Sequence, residues 1–181
     1  MKFDPKYFNV FILAMAVILT IAIIIGTISY RTDQREIFVG KLRDKVALGA
    51  AKFAPASGEG DSLSLSDIKS EFLVLDFGAT WSPYSERAHR ALKAVERKFP
   101  GRIHVVSAMV KNQPQEILEY ERMKAFQFTY VLGTDLYREL SIPGIPSHIV
   151  FDSTGNVVDY SVGFSKDNAI TRLESLLTGT N

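Results

Sequence analysis

There is no cysteine among the 181 residues of this chain. That absence excludes a disulfide framework, a thiolate metal site and any thiol-disulfide exchange by the chain's own side chains. A charge bias is missing too: 21 basic residues face 20 acidic ones, for a formal net charge of +1. A nucleic-acid partner calls for a concentrated basic surface, so none is expected. Histidine occurs only as His89, His104 and His148, without the close spacing of a zinc motif. Neither a metal nor a small-molecule cofactor is expected. No internal repeat is present. The length allows one domain of ordinary size plus an appendage.

The appendage is N-terminal, after a short tail of residues 1–6. Residues 7–30 contain no charged side chain, and their apolar core is dense in Ile, Leu, Val and Ala. At ~1.5 Å per residue such a helix crosses a hydrocarbon layer of ~30 Å. Tyr7, Phe8 and Tyr30 stand where an aromatic belt would lie. A cleaved signal peptide would have an apolar region about half as long, followed by a small-residue cleavage site. Tyr30-Arg31-Thr32-Asp33-Gln34-Arg35 follows instead, so a retained single-span anchor is predicted. Ala22 and Gly26 have the spacing that lets membrane helices approach closely. Lys2 and Lys6 flank one end of the span; Arg31, Arg35, Lys41, Arg43 and Lys45 flank the other. By the positive-inside count the C-terminal part would be cytoplasmic.

Residues 31–61 read as an amphipathic stalk and a linker. Ile37, Phe38, Leu42, Val46 and Ala47 recur at roughly helical spacing, giving a stripe that covers its own domain, lies on lipid or meets a partner. Ala54-Pro55-Ala56-Ser57-Gly58-Glu59-Gly60-Asp61-Ser62 has the composition of a linker. Residues 62–181 then alternate. Strands are predicted at 72–77, 103–110, 130–132, 147–152 and 157–162. Helices are predicted at 83–98, 115–126 and 165–177, with a helical turn at 135–140. Ser82 before Pro83 is a helix N-cap followed by a favoured first residue, and Ser165 is the predicted cap of the last helix. Ser153-Thr154-Gly155-Asn156 marks a hairpin. The order β-α-β-α, hairpin, α predicts an α/β domain, a mixed sheet with helices on both faces.

Several local sequences resemble one family in its own order. Ser64-Leu65-Ser66-Asp67-Ile68-Lys69 is similar to the lead-in before its first central strand. Leu73-Val74-Leu75-Asp76-Phe77-Gly78-Ala79-Thr80-Trp81 resembles the strand entering its active site. Ser141-Ile142-Pro143-Gly144-Ile145-Pro146-Ser147 resembles the segment bearing its cis-proline, and Phe151-Asp152-Ser153-Thr154-Gly155-Asn156-Val157 the hairpin after it. The family is the TlpA-like branch of the thioredoxin superfamily, membrane-anchored thiol-disulfide oxidoreductases. The resemblance covers about residues 62–177 and implies a thioredoxin-like fold. It also implies a single-pass protein of the inner membrane with a periplasmic domain, the opposite side from the basic count.

Ser82 and Ser85 stand where the family has its two cysteines. A serine hydroxyl is far less acidic than a thiol of pKa ~8.5, and no helix dipole closes that gap. Asp76 matches the family's buried acid; buried without a cationic partner, its pKa would rise. Trp81, Tyr84, Ile145 and Pro146 match the groove that receives an extended polypeptide, and such pairing requires no sulfur. The expected function is a redox-inactive, membrane-anchored accessory or assembly subunit of a larger membrane complex. The alternative is a Cys-to-Ser form of a TlpA-like disulfide reductase. Serine hydrolysis would need His148 brought to Ser82.

Overall fold

The computed structural model of the chain describes residues 5–44, 51–56, 61–163 and 170–179. Val46, Ala47, Ser57 to Gly60 and Ser165, all given roles by the sequence, lie outside the described residues. Pro5–Asp44 forms one continuous helix, α1. Its apolar N-terminal part is exposed along its length and long enough to cross a membrane. Thr20 and Thr27 donate to the Ala16 and Ile23 carbonyls, each at 2.8 Å, so these hydroxyls are satisfied within the helix.

Beyond α1 the elements follow in the order β1 (Lys52–Phe53), β2 (Leu63–Ser64), β3 (Phe72–Gly78), α2 (Pro83–Lys98), β4 (Ile103–Met109), α3 (Pro114–Lys124), β5 (Thr129–Leu132), α4 (Thr134–Glu139), β6 (Ser147–Asp152), β7 (Val157–Val162) and α5 (Thr171–Thr178). Five strands make one sheet in the order β5-β4-β3-β6-β7. The β5-β4-β3 part is parallel, while β6 runs antiparallel to both of its neighbours, β3 and β7. This is a thioredoxin-like α/β fold with a mixed sheet between helices.

Strand alternation sorts the core into two layers. Leu73, Leu75 and Phe77 of β3 join Val106, Ala108, Ile149 and Phe151 on one face. Val74, Val105, Met109 and Val150 turn to the other, beneath Leu92 and Val95 of α2, Ile117 and Tyr120 of α3, and Leu173 and Leu177 of α5. The first face is covered in part by the end of α1: Phe38 and Leu42 are buried in that layer. Of the stalk's apolar stripe, Phe38 and Leu42 thus lie on its own domain, while Ile37 stays exposed.

Part of the stretch read as linker lies along the edge of the sheet. Ala56 N–H donates to the Tyr130 carbonyl, Leu132 N–H donates to the Ala54 carbonyl, and Pro55 bridges Val131. These bonds cover the outer edge of β5. Backbone pairing of this kind draws on amides and carbonyls that every residue carries, so small-residue composition did not reveal it. Gly133 lets the chain turn from β5 into α4: a Cβ there would come within 2.6 Å of Ala108.

Candidate binding site

The registers bring the C-terminal end of β3 and the start of β6 to one end of the sheet, with Phe77 opposite Ser147. Residues 79–85 leave from one and Ile145-Pro146 enters the other. The Ile145-Pro146 bond is cis. Pro146 is buried and Ile145 half-buried. The Pro146 carbonyl accepts from Gly163 N–H at 2.8 Å. No hydrogen bond holds the backbone N–H or C=O of Ile145 among the described residues.

The segment between β3 and α2 is held by its own hydroxyls. Ser82 caps α2, its Oγ accepting from Ser85 N–H at 3.3 Å. Ser85 is fully buried, and its Oγ accepts from Ala79 N–H at 3.1 Å. Ser82 N–H donates to the Ala79 carbonyl at 3.2 Å. From the other side Asn112 clasps Thr80: its Oδ1 accepts from Thr80 N–H at 3.0 Å and its Nδ2 donates to Thr80 Oγ1 at 2.6 Å. The same Nδ2 reaches Glu116 at 2.8 Å, which ties the segment to the first turn of α3. Trp81 and Tyr84 project from this braced loop at 60% and 59% exposure, and the Arg87 guanidinium lies 5.7 Å from the Tyr84 ring centre. Large aromatic side chains left this open on a fixed backbone are suited to contact with another polypeptide.

Below the loop a polar row crosses the sheet. Register places Tyr130, Ser107, Asp76, His148 and Ser161 side by side on the five strands, on the face covered by α2 and α3. His89 reaches down from α2, its Nε2 2.6 Å from Asp76 Oδ2 and its Nδ1 2.9 Å from the Tyr120 hydroxyl. Ser107 Oγ donates to the same carboxylate oxygen at 3.1 Å. His148 Nδ1 stands 2.9 Å from Asp76 Oδ1. That contact has ion-pair distance but is off the line of a hydrogen bond, which leaves both atoms without a hydrogen-bond partner. Asp76 and His89 are fully buried and His148 nearly so.

The condition attached to Asp76 is met only in part: it is buried, but not without partners. Burial does push its carboxyl up, but attraction to His89, the close contact of His148 and the hydrogen bond from His89 outweigh it. The result lies well below the usual carboxylate range. The partners that the sequence did not place are two imidazoles, His89 of α2 and His148 of β6. Contacts of 2.6 and 2.9 Å leave no space for an ion between carboxylate and imidazoles. Neither histidine is among the hydrogen-bond partners of Ser82, so the arrangement for serine catalysis is not assembled. His89 and Asn112 went unassigned in the sequence. A polar residue in the middle of each apolar strand was the signal that a buried network lay there.

No family model matches the chain, and no curated protein matches it by sequence. Solved structures match its fold. A thiol:disulfide interchange protein DsbE from Chlorobium tepidum, described as putative in name, shares 21% identity at a TM-score of 0.61, over 72% of this chain and 94% of that one. A secreted disulfide oxidoreductase of Mycobacterium tuberculosis, homologous to E. coli DsbE, shares 15% at 0.57, over 70% and 96%. A thiol-disulfide oxidoreductase from Bacteroides fragilis shares 18% at 0.57, over 71% and 98%. At these identities the likeness establishes the fold.

Proposed function

We propose that the chain is a membrane-anchored, redox-inactive relative of the TlpA-like proteins that works by binding. Its domain lies on the periplasmic side of the inner membrane, and it serves as an accessory or assembly subunit of a larger membrane complex. One observation carries the reading: both hydroxyls at the redox positions act as acceptors that brace the loop carrying Trp81 and Tyr84. The loop is therefore held for presentation, and the backbone of Ile145 beside it, without a hydrogen-bond partner among the described residues, offers an extended polypeptide a place to pair. Co-purification of the tagged full-length chain in mild detergent at native expression tests this. A specific partner whose recovery falls when Trp81 is changed to alanine is expected; a monomer without a partner contradicts it. Protease treatment of intact spheroplasts tests the side, and a protected domain would place it in the cytoplasm.

The second reading, a Cys-to-Ser form of a disulfide reductase, is favoured by the placing of Ser82 at a helix N-terminus and Ser85 buried just inside it, where a dithiol would be activated. The Ser82→Cys/Ser85→Cys variant distinguishes the two. Restored insulin reduction favours the second reading, and an inert variant removes it.

A further inference from the structure

We propose that α1 is a rigid mount that holds the Trp81–Tyr84 face at one height and one orientation over the bilayer, and that the partner is a second protein anchored in the same membrane. The proposal rests on the anchored, binding reading above and adds how the domain is held and what it meets.

The helix runs unbroken from the apolar span into the core. Residues 31–37, between the aromatic end of the span at Tyr30 and the first docked side chain, stay helical. At ~1.5 Å per residue, Phe38 lies ~12 Å beyond Tyr30. There it is fully buried, edge-on to Tyr160 of β7 with ring centres 5.8 Å apart. One turn later Leu42 is buried in the same layer. Between them Lys41 Nζ donates to the Glu139 carbonyl at 2.8 Å and to Ser141 Oγ at 2.7 Å, at the end of α4. The helix is thereby attached to the domain at two separate elements, β7 and the end of α4. Ser141 also opens the segment that leads to Ile145 and Pro146, so mount and groove share one stretch of chain.

A flexible tether would let the domain search in all directions. A rigid mount removes that reach and fixes orientation before the encounter. A soluble partner approaches from any side and gains little from this. A partner confined to the same plane gains a great deal, because both surfaces already stand at matching heights and less orientational freedom is lost on binding.

The absence of cysteine makes the test direct, since two introduced thiols are the only ones to label. Spin labels on the full-length Y30C/M123C variant in lipid nanodiscs report the distance between mount and domain; both native side chains are exposed. A single narrow distance distribution is expected, broadened when a run of glycines is inserted after Asp33. A distribution as broad without the insertion overturns the mount. A photo-cross-linking residue in place of Tyr84, in native membranes, reads the partner. An adduct with a protein that survives alkaline carbonate washing, reduced several-fold by the glycine insertion, is expected. An adduct with a washable protein, or one indifferent to the insertion, overturns the partner class. No adduct at all overturns it together with the binding reading, while the distances still decide the mount.

Discussion

Ser85 sits in full burial with its oxygen aimed at the Ala79 amide. Ser85→Ala leaves that N–H without an acceptor and should cost about 1–3 kcal/mol of domain stability, read by denaturant unfolding; an unchanged midpoint would show that the hydroxyl braces nothing. Asp76 gives the pH dependence. Its folded pKa is depressed, so its stabilisation is complete above the unfolded value of ~3.9 and is lost as pH falls below that toward the folded value. Wild type should therefore unfold later than Asp76→Asn at neutral pH, with the gap closing below about pH 4 in an acid-unfolding series. The two residues differ in how far the sequence revealed them. The capping role of Ser82 beside Ser85 was legible because Pro83 adjoins it and capping is local. The partners of Asp76 were not, because strand register and the descent of α2 bring His148 and His89 to it across the sheet.

At the scale of elements, the two hairpin strands were read at their observed bounds, since apolar runs on either side of Ser153-Thr154-Gly155-Asn156 define them. The second half of α1 needed the tertiary structure. Spacing showed that Phe38 and Leu42 share a stripe, but not what the stripe covers. Phe38→Ala should cost about 3–5 kcal/mol, the range for truncating a buried aromatic, and shift the domain's unfolding midpoint in the full-length protein. No loss of stability would mean that the stalk does not pack on the domain. Gly133→Ala tests a second junction. Its new Cβ meets the Ala108 backbone, which gives way poorly, so a loss of about 1–3 kcal/mol is expected in the same assay. A neutral result would show that β4 and the entry to α4 lie farther apart.

For the whole molecule the question is what a thioredoxin-like scaffold does without cysteine. The fold was legible, because alternating apolar runs, a hairpin and a proline-led helix each have local signatures that agree with one topology. The proposed binding surface was only half legible. Trp81, Tyr84, Ile145 and Pro146 were read from resemblance, while the clasp of Asn112 on Thr80 that helps set the loop's position emerged only in three dimensions. On the proposed reading, the serine oxygens support a loop and take no part in electron exchange. Insulin-disulfide reduction by the purified full-length chain, followed against a protein-free blank under the same reductant, tests that claim most directly. The account predicts a rate indistinguishable from the blank, and a rate clearly above it would contradict the account.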